Sequence, residues 1–161
     1  MQSIEIILHR LGESPDKEAL YWNGRSFTYS KLNTAIAAWE PILKNNRIGH
    51  GTVCAFLGDY SPQTAALIFA LMKVKAVMVP FTYAIQHEVE EFKNIAGVEC
   101  MFRFGPDDTW TFERYESITR NTLVQDFMRR DVPGLIVFSS GSTGKPKGIL
   151  QDCERVMHKF V

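Results

Sequence analysis

The chain has 161 residues, 45% hydrophobic and 22% charged. That is the makeup of one compact globular domain, which can bury roughly 70% of its unfolded surface. Its 18 basic and 18 acidic side chains cancel, arguing against a nucleic-acid surface or a basic membrane patch. Residues 65–72, the longest apolar run, fall far short of a membrane span. Ile4, Ile7, Leu8 and Leu11 share one face of a helix predicted over 3–11, ending near Gly12. That stretch is too short, and too acidic at Glu5, for a signal peptide. Strand runs 18–22 and 25–28 flank Asn23-Gly24, the pair preferred in type I′ hairpin turns.

Next comes a helical repeat of Leu32, Ala35, Ile36, Trp39 and Leu43, with Ser30 as the expected N-cap. Pro41 is expected to kink or end this helix near Trp39. Residues 52–57 read as a buried strand. Ser61-Pro62 opens a helix to Val74 that is apolar nearly all round. A strand follows over 77–81. Ile85, Val89, Phe92 and Ala96 form another amphipathic face, stopped by Gly97.

Val98, Cys100, Phe102 and Phe104 alternate with Glu99, Met101 and Arg103, predicting a half-buried strand. Asp107 and Asp108 fall in a turn and are expected to be solvated. Trp110 and Phe112 share one face of a short extended return, as core or interface residues. A short helix is predicted over 123–129 and another over 153–161, with Val156 and Phe160 on one side and Asp152 as cap. Cys54, Cys100 and Cys153 are odd in number and far apart, so they read as reduced thiols of a cytoplasmic protein. The histidines are scattered, and none is given a metal role. Strands alternating with helices predict an α/β fold, a mainly parallel sheet flanked by helices, with ligands at the strand ends.

The most informative stretch is residues 135–150. An apolar run, Leu135-Ile136-Val137-Phe138, leads into Ser139, Ser140, Gly141, Ser142, Thr143, Gly144, Lys145, Pro146, Lys147 and Gly148, before Ile149-Leu150. It is not a Walker A loop, which needs four residues between its glycines and then Gly-Lys-Ser/Thr. Two readings fit: a polar hairpin turn with incidental lysines, or a polyphosphate cradle. The second accounts for more of the composition. Gly141 and Gly144 permit close approach of the backbone to a ligand. The hydroxyls donate hydrogen bonds. Successive backbone N–H groups can form an anion nest, and Lys145 and Lys147 add positive charge.

Phe138 to Gly148 resembles, at every position, the phosphate-loop signature of the acyl-adenylate-forming superfamily. That superfamily comprises acyl- and aryl-CoA synthetases, peptide-synthetase adenylation domains and luciferase. Phe27-Thr28-Tyr29-Ser30-Lys31-Leu32 is similar to an early box of that family. Residues 73–80 are similar to a second, except that Lys75 stands where a helix-ending glycine is usual. The resemblance implies an ATP-dependent, AMP-forming carboxylate ligase that uses magnesium and passes the acyl group to coenzyme A or phosphopantetheine. It implies cofactor contacts from Ser139, Ser140, Gly141, Ser142, Thr143, Gly144, Lys145 and Lys147, with Lys147 as the loop cation and Lys145 ranked lower. It assigns no catalytic residue and no protein metal ligand within 1–161.

The boxes for adenine, ribose and α-phosphate, the acyl pocket and the mobile domain with its catalytic lysine have no counterpart here. Residues 1–161 are therefore expected to be a single N-terminal subdomain, inactive alone. The alternative is a stand-alone binding or oligomerisation module on the same scaffold; an unrelated nucleotide-binding domain would require the whole loop to be coincidence. The carboxylic acid, the thiol acceptor and the strand order are not readable from these residues.

Overall fold

The computed structural model describes residues 3–116, 119–140 and 146–161. In chain order these form α1 (Ser3–Glu13), β1 (Glu18–Trp22), β2 (Arg25–Thr28), α2 (Tyr29–Asn45), β3 (Val53–Leu57), α3 (Pro62–Lys73) and β4 (Val77–Phe81). Then come α4 (Val89–Ala96), β5 (Cys100–Phe104), β6 (Trp110–Arg114), α5 (Thr122–Met128), β7 (Gly134–Ser140), β8 (Pro146–Asp152) and α6 (Cys153–Met157). Short 3₁₀ turns at Tyr83–Ile85 and His158–Phe160 complete the list. Thus Ile85 stands in its own turn ahead of α4, and the last predicted helix divides after Met157.

Among the described residues β1 and β2 pair as a hairpin, and six strands form one sheet in the order β6-β5-β3-β4-β7-β8. Neighbours among β3, β4, β5 and β7 are parallel; β6 and β8 close the two edges antiparallel. The β1–β2 turn has φ of 48° at Asn23 and 74° at Gly24, both positive as a type I′ turn requires.

Alternation along β3 divides the core. Cys54 and Phe56 face α1, α2 and α3 in one buried cluster. Val53, Ala55 and Leu57 face α4 and α5 in the other. Trp39, only 1% exposed, lies edge-on to Phe102 at 5.1 Å and tilted to Trp110 at 5.1 Å, so those aromatics are core. β5 is buried on both faces, because Met101 enters the α4/α5 cluster. A half-buried strand was the expectation; helices on both faces leave none of it to solvent except part of Arg103.

Three local expectations are corrected. The N-cap of α2 is Thr28, whose hydroxyl accepts from the Lys31 N–H at 3.4 Å, not Ser30. Pro41 neither ends nor divides α2, which runs on to Asn45. Pro41 and Ala37, the residue whose carbonyl loses its helical donor, are both exposed, so water can serve that carbonyl. Trp39 and Leu43, both buried, hold the helix down on either side. Asp108 is not simply a solvated turn residue. Its carboxylate accepts from the Ser61 hydroxyl and from the Gln63 N–H at 3.1 Å, joining the β5–β6 turn to the start of α3. Ser61 itself caps α3 by accepting from the Thr64 N–H at 3.1 Å. Asp152 caps α6 as expected, through the Arg155 N–H at 3.2 Å.

Candidate functional site

The connections on either side of β4 create a crevice. β3 leads to α3 on one face of the sheet, while β4 leads to α4 on the other. Between two such strands the loops diverge at the carboxyl ends, the usual place for ligands in an open α/β sheet.

The β4–β7 ladder widens the crevice. β3 and β4 pair over five positions, from Val53↔Val77 to Leu57↔Phe81. β4 and β7 pair over only two, Val77↔Gly134 and Met78↔Leu135. Beyond Leu135, β7 leaves the sheet and keeps only β8 as partner. Pro80 falls at this break. The Ala76 carbonyl accepts from the Gly134 N–H, and the Val77 N–H donates to the Thr52 carbonyl on the β3 side. Backbone groups of alternate residues in a strand point to opposite edges, so Pro80 lacks its N–H on the β7 side, where no ladder continues.

The result is a cleft of about 540 Å³. Pro80 and Thr82 from the end of β4 form one wall, and Val137, Phe138 and Ser139 of β7 form the other. Tyr60, after β3, and Ile85, Glu88, Glu91 and Phe92, on the way into and along α4, complete it. Phe138 stacks on Phe92 with ring centres 4.2 Å apart and planes 7° off parallel, and it meets Phe81 at 6.2 Å. These rings fill the base of the split and hold the β7–β8 hairpin near its turn.

The hairpin register places Ser139 opposite Lys147 and Ser140 opposite Pro146. Ser139 and Lys147 are both exposed. The two ends of the predicted loop therefore meet at the mouth of the cleft. Gly141, Ser142, Thr143, Gly144 and Lys145 lie outside the described residues.

A family model described as AMP-binding enzyme matches residues 8–160. The chain belongs to the AMP-binding enzyme family. It is 26% identical over 180 residues to the indoleacetate–CoA ligase of Aromatoleum aromaticum, an alignment covering 93% of this chain and 34% of that ligase. It is 21% identical over 168 residues to gramicidin S synthase 2 of Brevibacillus brevis, covering 96% of this chain and 4% of the synthase. In structure it is similar to the N-terminal subdomain of Klebsiella oxytoca NpsA in complex with 3-hydroxyanthranilyl-AMSN. The TM-score is 0.70 at 27% identity, covering 94% of this chain and 41% of that one. This chain thus spans about a third of the length of the curated ligase.

In this family member the Lys75 departure noted in the sequence has a structural counterpart. Lys75 adopts φ of 55°, the left-handed conformation that glycine adopts at no steric cost. Its ammonium pairs with Asp131 at 2.6 Å. The cleft residues Tyr60, Thr82, Ile85, Glu88, Glu91 and Phe92 carry no local motif, and sequence reading missed them as a site. The available signal was positional: each follows, or packs beside, the carboxyl end of a predicted parallel strand. Among the described residues no three His, Cys, Asp or Glu side chains converge to hold a metal ion.

Proposed function

We propose that this chain is the N-terminal part of an ATP-dependent, AMP-forming carboxylate ligase, and that Ser139 to Lys147 form its polyphosphate cradle. The observation that carries this reading is the register that sets Lys147 across from Ser139 beside the β4–β7 cleft. A hydroxyl and an ammonium beside the turn of a hairpin are the donor set that a polyphosphate needs. The intervening Gly141, Ser142, Thr143, Gly144 and Lys145 extend that set by composition.

In the reaction, a carboxylate oxygen forms a bond to the α-phosphorus of ATP and the bond to pyrophosphate breaks. A thiol, of coenzyme A or a phosphopantetheine arm, then takes the acyl group and releases AMP. This chain's share is to hold the β- and γ-phosphates while charge builds on the departing pyrophosphate. Fixed donors do this with little reorganisation. Magnesium would arrive on the nucleotide and supply charge neutralisation, since phosphate oxygens and water satisfy most of its ligand positions. The relatives named for a CoA ligase and a peptide synthase support this reaction class and both kinds of acceptor. The three buried, unpaired cysteines suit a reducing cytoplasmic setting. Among the described residues no helix is long and apolar enough to cross a membrane.

Calorimetric titration of the 161-residue chain with magnesium pyrophosphate tests the cradle. Lys147→Ala should weaken binding roughly tenfold, the effect of losing one charge-assisted hydrogen bond. An unchanged isotherm overturns the assignment. The 161 residues span about a third of the curated ligase, so by themselves they should catalyse no carboxylate-dependent exchange of pyrophosphate into ATP. Detectable exchange would refute that inactivity.

A second reading, an association module on this scaffold, is favoured by one feature. Leu123 is 68% exposed and Ile149 46%, on or beside the edge strand β8. Light scattering of the chain at increasing concentration decides it: a concentration-independent monomer excludes self-association.

A further inference from the structure

A second cleft, also about 540 Å³, opens on the other side of the Gly58–Ser61 turn. It lies between the tip of the β1–β2 hairpin and the carboxyl ends of β3 and β5, so it shares none of the phosphate-loop residues. Trp22 from the hairpin and Tyr83 after β4 give it aromatic walls, Phe104 at the end of β5, only 2% exposed, lies at its floor, and Asn23 and Ser61 add polar groups. Tyr83 is held in place by donating its hydroxyl to the Phe104 carbonyl, which leaves its ring as wall. Asp59 brings a carboxylate to the lining. One of its oxygens accepts from the Tyr60 N–H at 2.9 Å, which orients the group at the turn.

No Lys, Arg or His lines this cleft. None of the ion pairs among the described residues engages Asp59. Aromatic faces carry negative charge density and attract cations, most strongly where water is partly excluded. A carboxylate beside such faces supplies a full opposite charge and a hydrogen-bond acceptor. A cavity of this size with apolar walls and few polar groups is of the kind that takes a small organic molecule.

We propose that this cleft binds a small organic ammonium ion, with its hydrocarbon body against Trp22, Tyr83 and Phe104 and its charged end towards Asp59. Anionic ligands are disfavoured there by the same carboxylate. The site is independent of the phosphate loop, although both clefts border the Gly58–Ser61 turn.

The test uses phenethylammonium as probe and phenethyl alcohol as its neutral counterpart of nearly equal size. The indole N–H resonance of Trp22, assigned through Trp22→Phe, is followed by NMR as each is added to the 161-residue chain. The expected result is a saturable shift by the ammonium in roughly the millimolar range, with the alcohol about tenfold weaker. Asp59→Asn should bring the ammonium down to the level of the alcohol. Added salt should weaken the ammonium and leave the alcohol unchanged, a comparison that needs no variant. The proposal is overturned by an unmoved Trp22 resonance, by equal affinity for the two probes, or by a preference that neither Asp59→Asn nor salt diminishes.

Discussion

β3 and β7 run in the same direction in one sheet, yet one is its centre and the other leaves it. β3 is paired on both sides, five positions with β4 and four with β5, and all five of its residues are buried. β7 shares two positions with β4 and then pairs only with β8, none of whose residues is buried. The centre holds the fold; the departing flank makes room for a ligand. Between them lie Pro80 and the Phe92–Phe138 stack, the first having no N–H to extend the ladder and the second filling the gap where it ends. A sheet that stayed paired to its last residue would have no cleft beside Ser139.

The largest effect should come from the central side. Trp39 anchors α2 against Phe102 and Trp110, so Trp39→Ala should cost about 3–5 kcal/mol, a large part of a typical domain's stability, as read by denaturant unfolding. Its indole N–H has no partner among the described residues, so Trp39→Phe should cost markedly less. On the flank, Phe92→Leu keeps an apolar side chain but removes the stack on Phe138. It should lose only about 1 kcal/mol of stability. The same change should weaken pyrophosphate binding, because the ring that holds the hairpin near its turn is gone. If Phe92→Leu proves as destabilising as Trp39→Ala and leaves pyrophosphate affinity intact, the division between centre and flank is wrong.

Thiol reactivity offers a quieter probe of the same contrast. The Cys54 thiol is pushed well up by its hydrogen bond with Cys100 and by burial, and Cys153 is pushed up to about 12, chiefly by burial and then by the Asp152 charge. Thiolate, not thiol, is the nucleophile, so Cys54 and Cys153 should resist alkylation in the folded chain at mild alkaline pH, and Cys100 is shielded by its complete burial. Mass spectrometry after iodoacetamide treatment should find Cys54 and Cys100 protected until global unfolding. Cys153, at the far end of β8, should be modified first, by local opening. Simultaneous labelling of all three would show the flank to be as firm as the centre.

Much of the centre was legible because its signals are local. Asn23-Gly24, Ser61-Pro62 and Gly97 each impose a backbone conformation that their neighbours cannot override. The buried strands announce themselves as apolar runs. Pro41 misled because helix propensity is a local term and two buried anchors outweigh it. In the sequence Asp108 reads as solvent-facing because its partners, Ser61 and Gln63, are distant in sequence and meet it only once β5 and β3 are paired. The hairpin that carries the loop could be read from its motif. The cleft beside it could not, since it is produced by a ladder that stops, and Pro80 marks that stop only once the strand order sets β7 against its bare edge.

The smallest effect concerns how the flank is tied to the centre before it departs. Asp131, just ahead of β7, faces Lys75, just ahead of β4, at 2.6 Å, with His50 at 3.8 Å. Both Asp131 and Lys75 hold positive φ, 52° and 55°. The hydrogen bond from Lys75, aided by its charge and that of His50, holds the Asp131 carboxyl below its ordinary value. A carboxylate depressed on folding adds stability above its unfolded value, and that contribution is lost as pH falls through the folded one. Asp131→Asn is the clean substitution, because asparagine tolerates the left-handed conformation. The variant should melt slightly below the parent at neutral pH, and the gap should close in acid below the ordinary carboxylate range. Asp131 is exposed and Lys75 half-buried, so the gap should also shrink with salt. A difference in melting temperature that persists unchanged through acid would mean that backbone conformation, not the ion pair, joins the two strands at their entry.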